Sequence, residues 1–307
     1  MTNNSSPKLQ AHYFHPRNWG AWLLIGLMFS ISVLPMVAQH YLGLGIGRLG
    51  KKLLKSRVRI ARRNLALCFP EKTEQQREQI LHGCFDNMGH AVIGTANAWF
   101  WSTKRFEAVV DVQGLEHIEK LRQHPGGILL VSMHFWTLES HARAYGLFDP
   151  GVGIYRPNKN PVYEYFQYHG RTKNNKYLVE RKDVRSIIKA LRQENAVWYA
   201  PDHDYGHHAS VFVPFFAQPQ AATITGTATL AKVKNTNLLV TYALRKPKGG
   251  YTLIIEPPIE NYPVGNDEQD ARTINGHIEQ AIAKAPEQYM WIHRRFKSRP
   301  DGQDSLY

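Results

Sequence analysis

The sequence of 307 residues has little cysteine: only Cys68 and Cys84. Two thiols cannot build the disulfide framework of a small scaffold, and the sequence has no CxxC pair to hold a structural metal. It also lacks a glycine-rich nucleotide loop, an internal repeat and a low-complexity segment. These absences exclude disulfide-stapled and repeat architectures and leave a globular chain that can bury a full core, in one domain or two.

Acidic residues are also scarce relative to basic ones. The 38 Lys and Arg residues against 25 Asp and Glu residues give a formal net charge of +13. Such an excess favours an acidic partner, which could be nucleic acid, an anionic membrane surface, a phosphorylated substrate or an acidic carrier protein. A basic surface that is merely solvated is the alternative at this point.

Charge is missing altogether from Asn18–Gly47. Within it, Ala21–Gln39 is apolar and long enough to cross the roughly 30 Å hydrocarbon core as one helix. Trp19 and Tyr41 suit the two membrane interfaces, and Pro35 would kink such a helix without forbidding it. The sequence therefore predicts an N-terminal membrane-anchor helix, with a cleaved signal peptide or a buried core helix as alternatives.

Basic residues flank this segment unequally. Lys8 and Arg17 precede it, whereas eight basic residues follow: Arg48, Lys51, Lys52, Lys55, Arg57, Arg59, Arg62 and Arg63. By the positive-inside tendency, the chain after the anchor faces the cytoplasm. The spacing also predicts a basic juxtamembrane helix on anionic headgroups.

The remaining chain alternates short apolar runs with amphipathic stretches, which predicts an α/β fold with a layered sheet and flanking helices. Strands are expected at 109–112, 127–133, 152–155, 196–200, 238–244 and 251–256, and helices at 73–100, 115–123, 135–146, 161–174, 183–193, 219–234, 268–284 and 286–296. The predicted organisation is a tail (1–17), a membrane anchor (18–47), a basic helix (48–69) and a cytoplasmic catalytic domain (70–307).

The strand Gly127–Met133 runs directly into His134, and Glu139 follows five residues later. An imidazole can take a hydroxyl proton, and a carboxylate can fix its tautomer and stabilise the imidazolium. This is the only His-x4-acid match in the sequence, and it lies where open α/β sheets place ligands. We therefore expect Glu139 to pair with His134 in a catalytic dyad.

Two further clusters also follow strands. Ten basic residues lie between Arg156 and Arg192, and arginines there, Arg156 and Arg171 above all, can grip phosphate or carboxylate. The second cluster holds Asp202, His203, Asp204, His207 and His208. It could ligate a metal, but a turn built on hydrogen-bonding acids is the favoured interpretation.

Together and in this order, these motifs resemble the bacterial late (secondary) lipid A acyltransferases, the LpxL/LpxM family, over nearly the whole chain. The motifs that carry the resemblance are HPR (15–17), RNL (63–65), CFPE (68–71), His134-x4-Glu139, YRPNKNP (155–161), ERKD (180–183), YAPDHDYG (199–206), FVPFF (212–216) and PEQYMWIHRRFK (286–297). The blocks at 155–161 and 199–206 look closer to the LpxL (lauroyl-type) branch than to the LpxM (myristoyl-type) branch.

The resemblance implies a glycerolipid-acyltransferase-like fold at the bacterial inner membrane. It implies transfer of an acyl chain from acyl carrier protein to the 3-hydroxyl of a hydroxyacyl chain on an anionic, Kdo-bearing lipid A precursor. His134 and Glu139 match the catalytic pair, while Arg156, Asn160, Arg171 and Asp202 would bind substrate or the oxyanion. A thioester needs no cofactor, so no cofactor and no metal are expected.

Two other classes of protein stay open as alternatives. A metal-dependent hydrolase would be built on the Asp202–His208 cluster and would need a bound metal. A basic nucleic-acid-binding protein would need a helix that enters a groove or a face of stacking aromatics, and the sequence shows neither motif.

Overall fold

Seven strands form one sheet in the computed structural model, which describes residues 6–307. In chain order the elements are α1 Trp19–Val33, α2 Met36–Leu53, α3 Lys55–Cys68, α4 Glu74–Phe100, α5 Thr103–Glu107, β1 Val110–Gln113, α6 Leu115–Arg122, β2 Gly127–Val131, α7 Leu138–Gly146, β3 Val152–Tyr155, α8 Pro161–Arg171, β4 Tyr177–Glu180, α9 Val184–Arg192, β5 Ala196–Tyr199, β6 Ser210–Phe215, β7 Gln218–Ile224, α10 Gly226–Ala231, β8 Thr236–Arg245, β9 Tyr251–Ile255 and α11 Asp267–Lys284. The first five residues of the predicted tail lie outside the described part.

The sheet order is β1-β9-β8-β2-β5-β3-β4, and β6 and β7 form a separate antiparallel hairpin. Neighbouring strands are parallel except β8 and β9. The central strand β2 is buried along its whole length, as expected for a parallel strand with helices on both faces. The predicted mixed α/β fold, a largely parallel sheet with flanking helices, is thus confirmed.

Each face of the sheet has its own hydrophobic core. Leu129 and Val131 of β2 belong to the core that includes α9 and α11 residues. Ile128 and Leu130 belong to the other core, with residues of α4 and α7. The alternation of side chains along a strand divides β2 between the two cores.

The predicted membrane-spanning helix is broken at Leu34 and Pro35. Leu34 has extended backbone, with ψ of 152°; proline restricts the residue before it to such conformations and supplies no N–H donor. The side chain of Gln39 compensates by donating to the carbonyls of Ile31 (3.0 Å) and Ser32 (3.2 Å). Within residues 6–307 no helix has the length and apolar character needed to cross a membrane, so the expectation of a single spanning anchor was wrong.

The segment predicted as anchor and basic helix is docked on the rest of the fold. A Cβ at Gly89 of α4 would lie 2.0 Å from the carbonyl oxygen of Gly43, and one at Gly47 would lie 2.4 Å from that of Phe85. Only glycine permits α2 and α4 to approach so closely. In α3, Ala61 and Leu65 are fully buried in the core.

Two predicted helices do not form over their whole predicted ranges, because part of each range pairs with another extended segment instead. Residues 219–234 are not one helix, because Gln218–Ile224 pairs with β6 before α10 begins. Residues 286–296 are not a helix beyond a short 3-10 turn, since Tyr289 forms a β-bridge with Phe135. Strands β4 and β6 were not predicted.

Candidate active site

His134 lies just beyond the carboxyl end of β2, in the link to α7. The strand-like segment after Pro286 holds this link in place. The backbone N–H of Met290 donates to the carbonyl of His134 (3.0 Å), and that of Trp136 donates to the carbonyl of Gln288 (2.9 Å). His134 is therefore fixed at the sheet edge by main-chain hydrogen bonds rather than by a helical turn.

Asp202 holds the His134 side chain. Its Oδ1 lies 2.7 Å from Nδ1 of His134, and its Oδ2 accepts from the His134 backbone N–H at 2.8 Å and from the Tyr289 hydroxyl at 2.9 Å. Asp202 follows β5, the strand that pairs with β2, so adjacent strand ends bring the two residues together.

Asp202 is fully buried. Burial alone would raise the pKa of its carboxyl, but the charge of His134 and the hydrogen bonds from it hold the pKa well below the usual range. An ionised carboxylate can only accept, so the proton of a neutral His134 sits on Nδ1. Its Nε2, which has no hydrogen bond to any residue in 6–307, then carries a free lone pair.

Glu139 does not pair with His134. It accepts from Nε of Arg171 (3.0 and 3.1 Å to its two oxygens), from Nη2 of Arg171, and from Nε1 of Trp99 at 3.1 Å. Because Glu139 lies in the first turn of α7, it meets the carboxyl end of α8 rather than the end of β2. The predicted direct His134–Glu139 contact was wrong, and Asp202 occupies that place.

Burial opposes both charges of this ion pair, but each partner outweighs it. Arg171 lowers the pKa of Glu139 through its charge and hydrogen bonds, and Glu139 in turn raises the pKa of Arg171. Both groups therefore stay charged at neutral pH. Arg171 and His134 both line the cavity, so the ion pair fixes the guanidinium of Arg171 at the site.

Two more histidines stack beside His134. The His203 ring lies parallel to the His134 ring with centroids 3.5 Å apart, and His293 lies 4.0 Å from His203 on centroids. Burial lowers the pKa of His203 to about 3, so this ring is neutral. The sequence offered no separate signal for Trp99, Tyr289 or His293, although the last two fall in the resembling block at 286–297.

The residues Asp202–His208, for which metal binding was the alternative to a turn, do not assemble as one cluster. Within residues 6–307, the one group of three potential ligands is His134, Asp202 and His203, with ligand atoms within 4.8 Å of one another. Asp204 instead accepts from the backbone N–H (2.7 Å) and hydroxyl (2.8 Å) of Ser298. Both oxygens of Asp202 are also engaged. The acids of this segment thus support the turn interpretation.

The other predicted binding residues differ in their surroundings. Arg156 is exposed and lines the cavity. Asn160 caps α8, where its Oδ1 accepts from the N–H groups of Val162 (3.0 Å) and Tyr163 (3.1 Å). Its predicted part in substrate binding stays a prediction.

A cavity of about 1100 Å³ opens beside His134. It runs along β3 and β5 and beneath α7, lined largely by apolar side chains that include Leu130, Tyr145, Leu178 and Trp198. Deep apolar pockets with a few polar groups are typical of sites for small or long-chain organic groups. The cavity and the imidazole held by Asp202 together form a candidate enzyme active site with room for an apolar chain.

Comparison with known proteins identifies the family. The profile of the bacterial lipid A biosynthesis acyltransferases matches residues 6–298, and the chain belongs to that family. It is 46% identical to the lipid A biosynthesis lauroyltransferase of Escherichia coli strain K12 over 100% of both chains. Identity to the palmitoleoyltransferase of that strain is 40%, covering 98% of both chains.

The myristoyltransferase of the same strain is 31% identical over 99% of this chain and 96% of its own. The lauroyl-type branch therefore fits, as the motif comparison indicated. Among solved structures, the 1-acyl-sn-glycerophosphate acyltransferase of Thermotoga maritima is similar over 87% of this chain and 98% of its own, with a TM-score of 0.39 and 13% identity.

Proposed function

We propose that this protein transfers a fatty-acyl chain from acyl carrier protein to the 3-hydroxyl of a hydroxyacyl chain on a Kdo-bearing lipid A precursor. The observation that carries the proposal is His134, held by Asp202 with Nε2 free, at the opening of the apolar cavity. The names of the relatives support a late step of lipid A biosynthesis as the setting.

In the proposed reaction, Nε2 of His134 takes the proton of the acceptor hydroxyl as the hydroxyl oxygen attacks the thioester carbonyl. Asp202 stabilises the imidazolium without itself becoming protonated. Collapse of the tetrahedral intermediate forms the ester and releases the carrier thiolate, which receives the proton from His134. Fixed positive charge near the carbonyl stabilises the oxyanion, and Arg171 is the group we assign to that role.

Glu139 then acts through Arg171 rather than through His134. Its two oxygens fix the guanidinium plane by a bidentate contact, Oε1 accepting from Nη2 and Oε2 from Nε of Arg171, which sets direction as well as charge. Glu139 is therefore a positioning residue in this proposal. Both residues of the His-x4-Glu motif keep a role, but Glu139 acts on Arg171 and not on His134.

Basic side chains surround the cavity opening and suit both anionic substrates. Arg156, Arg181, Lys182 and Lys297 line it and are exposed. We assign the phosphate groups of the acceptor to Arg156, because it lies in the loop after β3, on the same sheet edge as His134. The remaining charges would meet the acidic carrier protein.

We also propose that α1 and α2 seat the protein on the cytoplasmic face of the bacterial inner membrane. They carry exposed apolar side chains, among them Leu23 (76% exposed), Val37 (69%) and Trp19 (63%). Exposed basic residues follow at Arg48, Lys52 and Lys55. An apolar surface next to basic residues favours an interfacial position on anionic lipid.

Vesicle flotation tests the proposed membrane association of α1 and α2. Wild-type protein should float with vesicles that contain anionic lipid, and a Leu23→Asp/Val37→Asp variant should not, because two charges would enter the acyl region. Lys189→Ala, an exposed change far from α1, is the control. Equal flotation of wild type and the double variant would overturn the proposed membrane association.

The function itself is tested by mass spectrometry of the acceptor lipid after incubation with purified protein and an acyl-acyl carrier protein. The expected product is heavier by one acyl chain, and EDTA should not prevent its formation. No product from folded wild-type protein with any donor would overturn the proposal. Loss of product on chelation, restored by one divalent metal, would favour the metal-dependent hydrolase alternative.

A further inference from the structure

One row of cavity residues crosses four strands of the sheet. The strand registers pair Leu130 of β2 with Trp198 of β5, Trp198 with Gly153 of β3, and Gly153 with Leu178 of β4. Paired residues of parallel strands share a face, and all four line the cavity. Gly153 is the only glycine of this row; the other three positions carry large apolar side chains.

Strands β3 and β5 separate just after this row. They pair only at Val152–Val197 and Gly153–Trp198, whereas β2 and β5 stay paired to Tyr199 and β3 and β4 stay paired to Glu180. Beyond Gly153 the cavity is lined by residues of both separating strands, including Ile154 and Tyr199. The row therefore lies at the level where the gap between β3 and β5 closes.

The two sides of the gap at Gly153 differ in rigidity. On one side, the indole N–H of Trp198 donates to Nδ1 of His141 at 3.2 Å, and Nε2 of His141 lies 3.2 Å from Oγ1 of Thr241. His141 is fully enclosed. On the other side stands Leu178, whose Cδ2 would lie 2.8 Å from a Cβ added at Gly153.

We infer that Gly153 and Trp198 set the length of the acyl chain that the cavity accepts. This inference rests on the proposed acyl transfer and names the residues that select its donor. An acyl chain whose thioester lies at His134 extends inward along β2 and β5 and must pass the row to reach the far part of the cavity, which Tyr145 and Gly151 line. A side chain at 153 would shorten the available space, and a smaller side chain at 198 would lengthen it.

The substitutions are sterically feasible. The contact that a Cβ at 153 would make is with the far end of a flexible side chain, so Gly153→Ala can be accommodated by rotation of Leu178. Trp198→Phe removes the indole N–H, but Nδ1 of His141 keeps its contact with the hydroxyl of Ser132 at 3.2 Å. Gly151 is unsuitable, since a Cβ there would lie 2.8 Å from the carbonyl oxygen of Ala196.

The test is kcat/KM with saturated acyl-acyl carrier proteins of ten to sixteen carbons for wild type, Gly153→Ala, Trp198→Phe and the control Gly276→Ala. Gly276 lies in α11 with open space around its Cβ position. Gly153→Ala should favour the donor two carbons shorter than the wild-type optimum by about tenfold or more, since one misfit methylene in an apolar pocket carries roughly that factor. Trp198→Phe should shift selectivity towards longer donors, and Gly276→Ala should shift nothing.

The outcomes separate this inference from the proposed function. If wild type transfers no acyl chain from any donor, the proposed function fails. If wild type is active and both cavity variants keep its chain-length profile, the inference is overturned. Thermal unfolding of each variant identifies misfolding, and should Gly153→Ala misfold, the opposite shift expected from Trp198→Phe decides the question.

Discussion

Asp202, which is fully buried, and Glu139, which is partly buried, are carboxylates close to the carboxyl end of β2, but they hold groups of different chemistry. Asp202 binds an imidazole, which can gain and lose a proton near neutral pH. Glu139 binds the guanidinium of Arg171, which keeps its charge throughout. One pair can carry out proton transfer, and the other can only keep a charge in place.

The difference also appears in what each pair leaves open. Nε2 of His134, a residue that lines the cavity, has no hydrogen-bond partner within residues 6–307, whereas the carboxylate of Glu139 accepts from Arg171 and Trp99. A general base needs a free lone pair within reach of its proton. The comparison teaches that the acid closest to a histidine in sequence need not be the one that holds its ring: here Asp202 contacts Nδ1 of His134, and Glu139 does not.

The largest expected effect tests the His134–Asp202 pair. His134→Ala should lower the rate of acyl transfer by about 10²–10⁴-fold, since a general base contributes that much. Asp202→Asn should lower it similarly, because an amide can donate to Nδ1 and so favour the wrong tautomer. The measurement is initial rate with the fold checked by circular dichroism, and His207→Ala at an exposed histidine is the control. Wild-type turnover by folded His134→Ala protein would exclude the mechanism.

The second prediction tests the Glu139–Arg171 pair through stability. Glu139→Gln leaves a partly buried guanidinium (20% exposed) without its counter-charge. The free energy of unfolding in urea should therefore fall by about 3 kcal/mol, the lower end of the range for a broken buried pair. The double variant Glu139→Gln/Arg171→Met removes both charges and should recover most of that stability but not the activity. Asp202→Asn should lose less stability than Glu139→Gln, because neutral His134 tolerates a neutral partner. The same small loss in both single variants would contradict the contrast between the pairs.

The sequence predicted which residues gather at the site but not how they pair. His134, Arg156 and Asp202 each follow a strand, and the carboxyl ends of parallel strands meet at one edge. The partner of His134 is nonetheless 68 residues away, and only the adjacency of β2 and β5 brings it there. A local His-x4-Glu spacing carries no information about strand order, so it could not show that Asp202, rather than Glu139, contacts His134.

The prediction of a membrane-spanning helix in the N-terminal segment was wrong for a related reason. Hydropathy summed over Ala21–Gln39 records composition, not the break that Pro35 imposes at Leu34. The docking of α2 depends on Gly43 and Gly47, which recur one helical turn apart. That small-residue spacing was visible in the sequence and is typical of close helix packing.

The third prediction extends the comparison to arginines that bind substrate rather than a protein carboxylate. Arg156→Ala should remove a charge-assisted contact of roughly 1.5–3 kcal/mol and raise the KM for the phosphorylated acceptor by about tenfold or more. Lys189→Ala on α9 should change little beyond salt sensitivity. Kinetics at fixed ionic strength with phosphorylated and dephosphorylated acceptor measure the difference. Equal, small effects at both positions would mean that Arg156 belongs to a solvated face.

The smallest effect concerns His141, which lies on α7 two residues after Glu139 and whose hydrogen-bond partners within residues 6–307 are all uncharged: Ser132, Trp198 and Thr241. Burial lowers the pKa of His141 to about 3, whereas in the unfolded chain it is about 6.5. Between these values the unfolded state binds one more proton, so the contribution of His141 to stability is complete above about pH 6.5 and declines as the pH falls.

One such proton corresponds to a slope of about 1.4 kcal/mol per pH unit in the free energy of unfolding. His141→Gln can still accept from Trp198 and donate to Thr241, so it should fold and show a pH dependence shallower by about that amount between roughly pH 4.5 and 6.5. His90 and His203, whose pKa values are also lowered by burial, keep their share of the slope in the variant. The measurement is urea denaturation at several pH values, with His207→Gln as the exposed control. An unchanged slope in His141→Gln would show that the wild-type imidazole is protonated in the folded state, and the network that holds Trp198 would then need a different hydrogen-bond assignment.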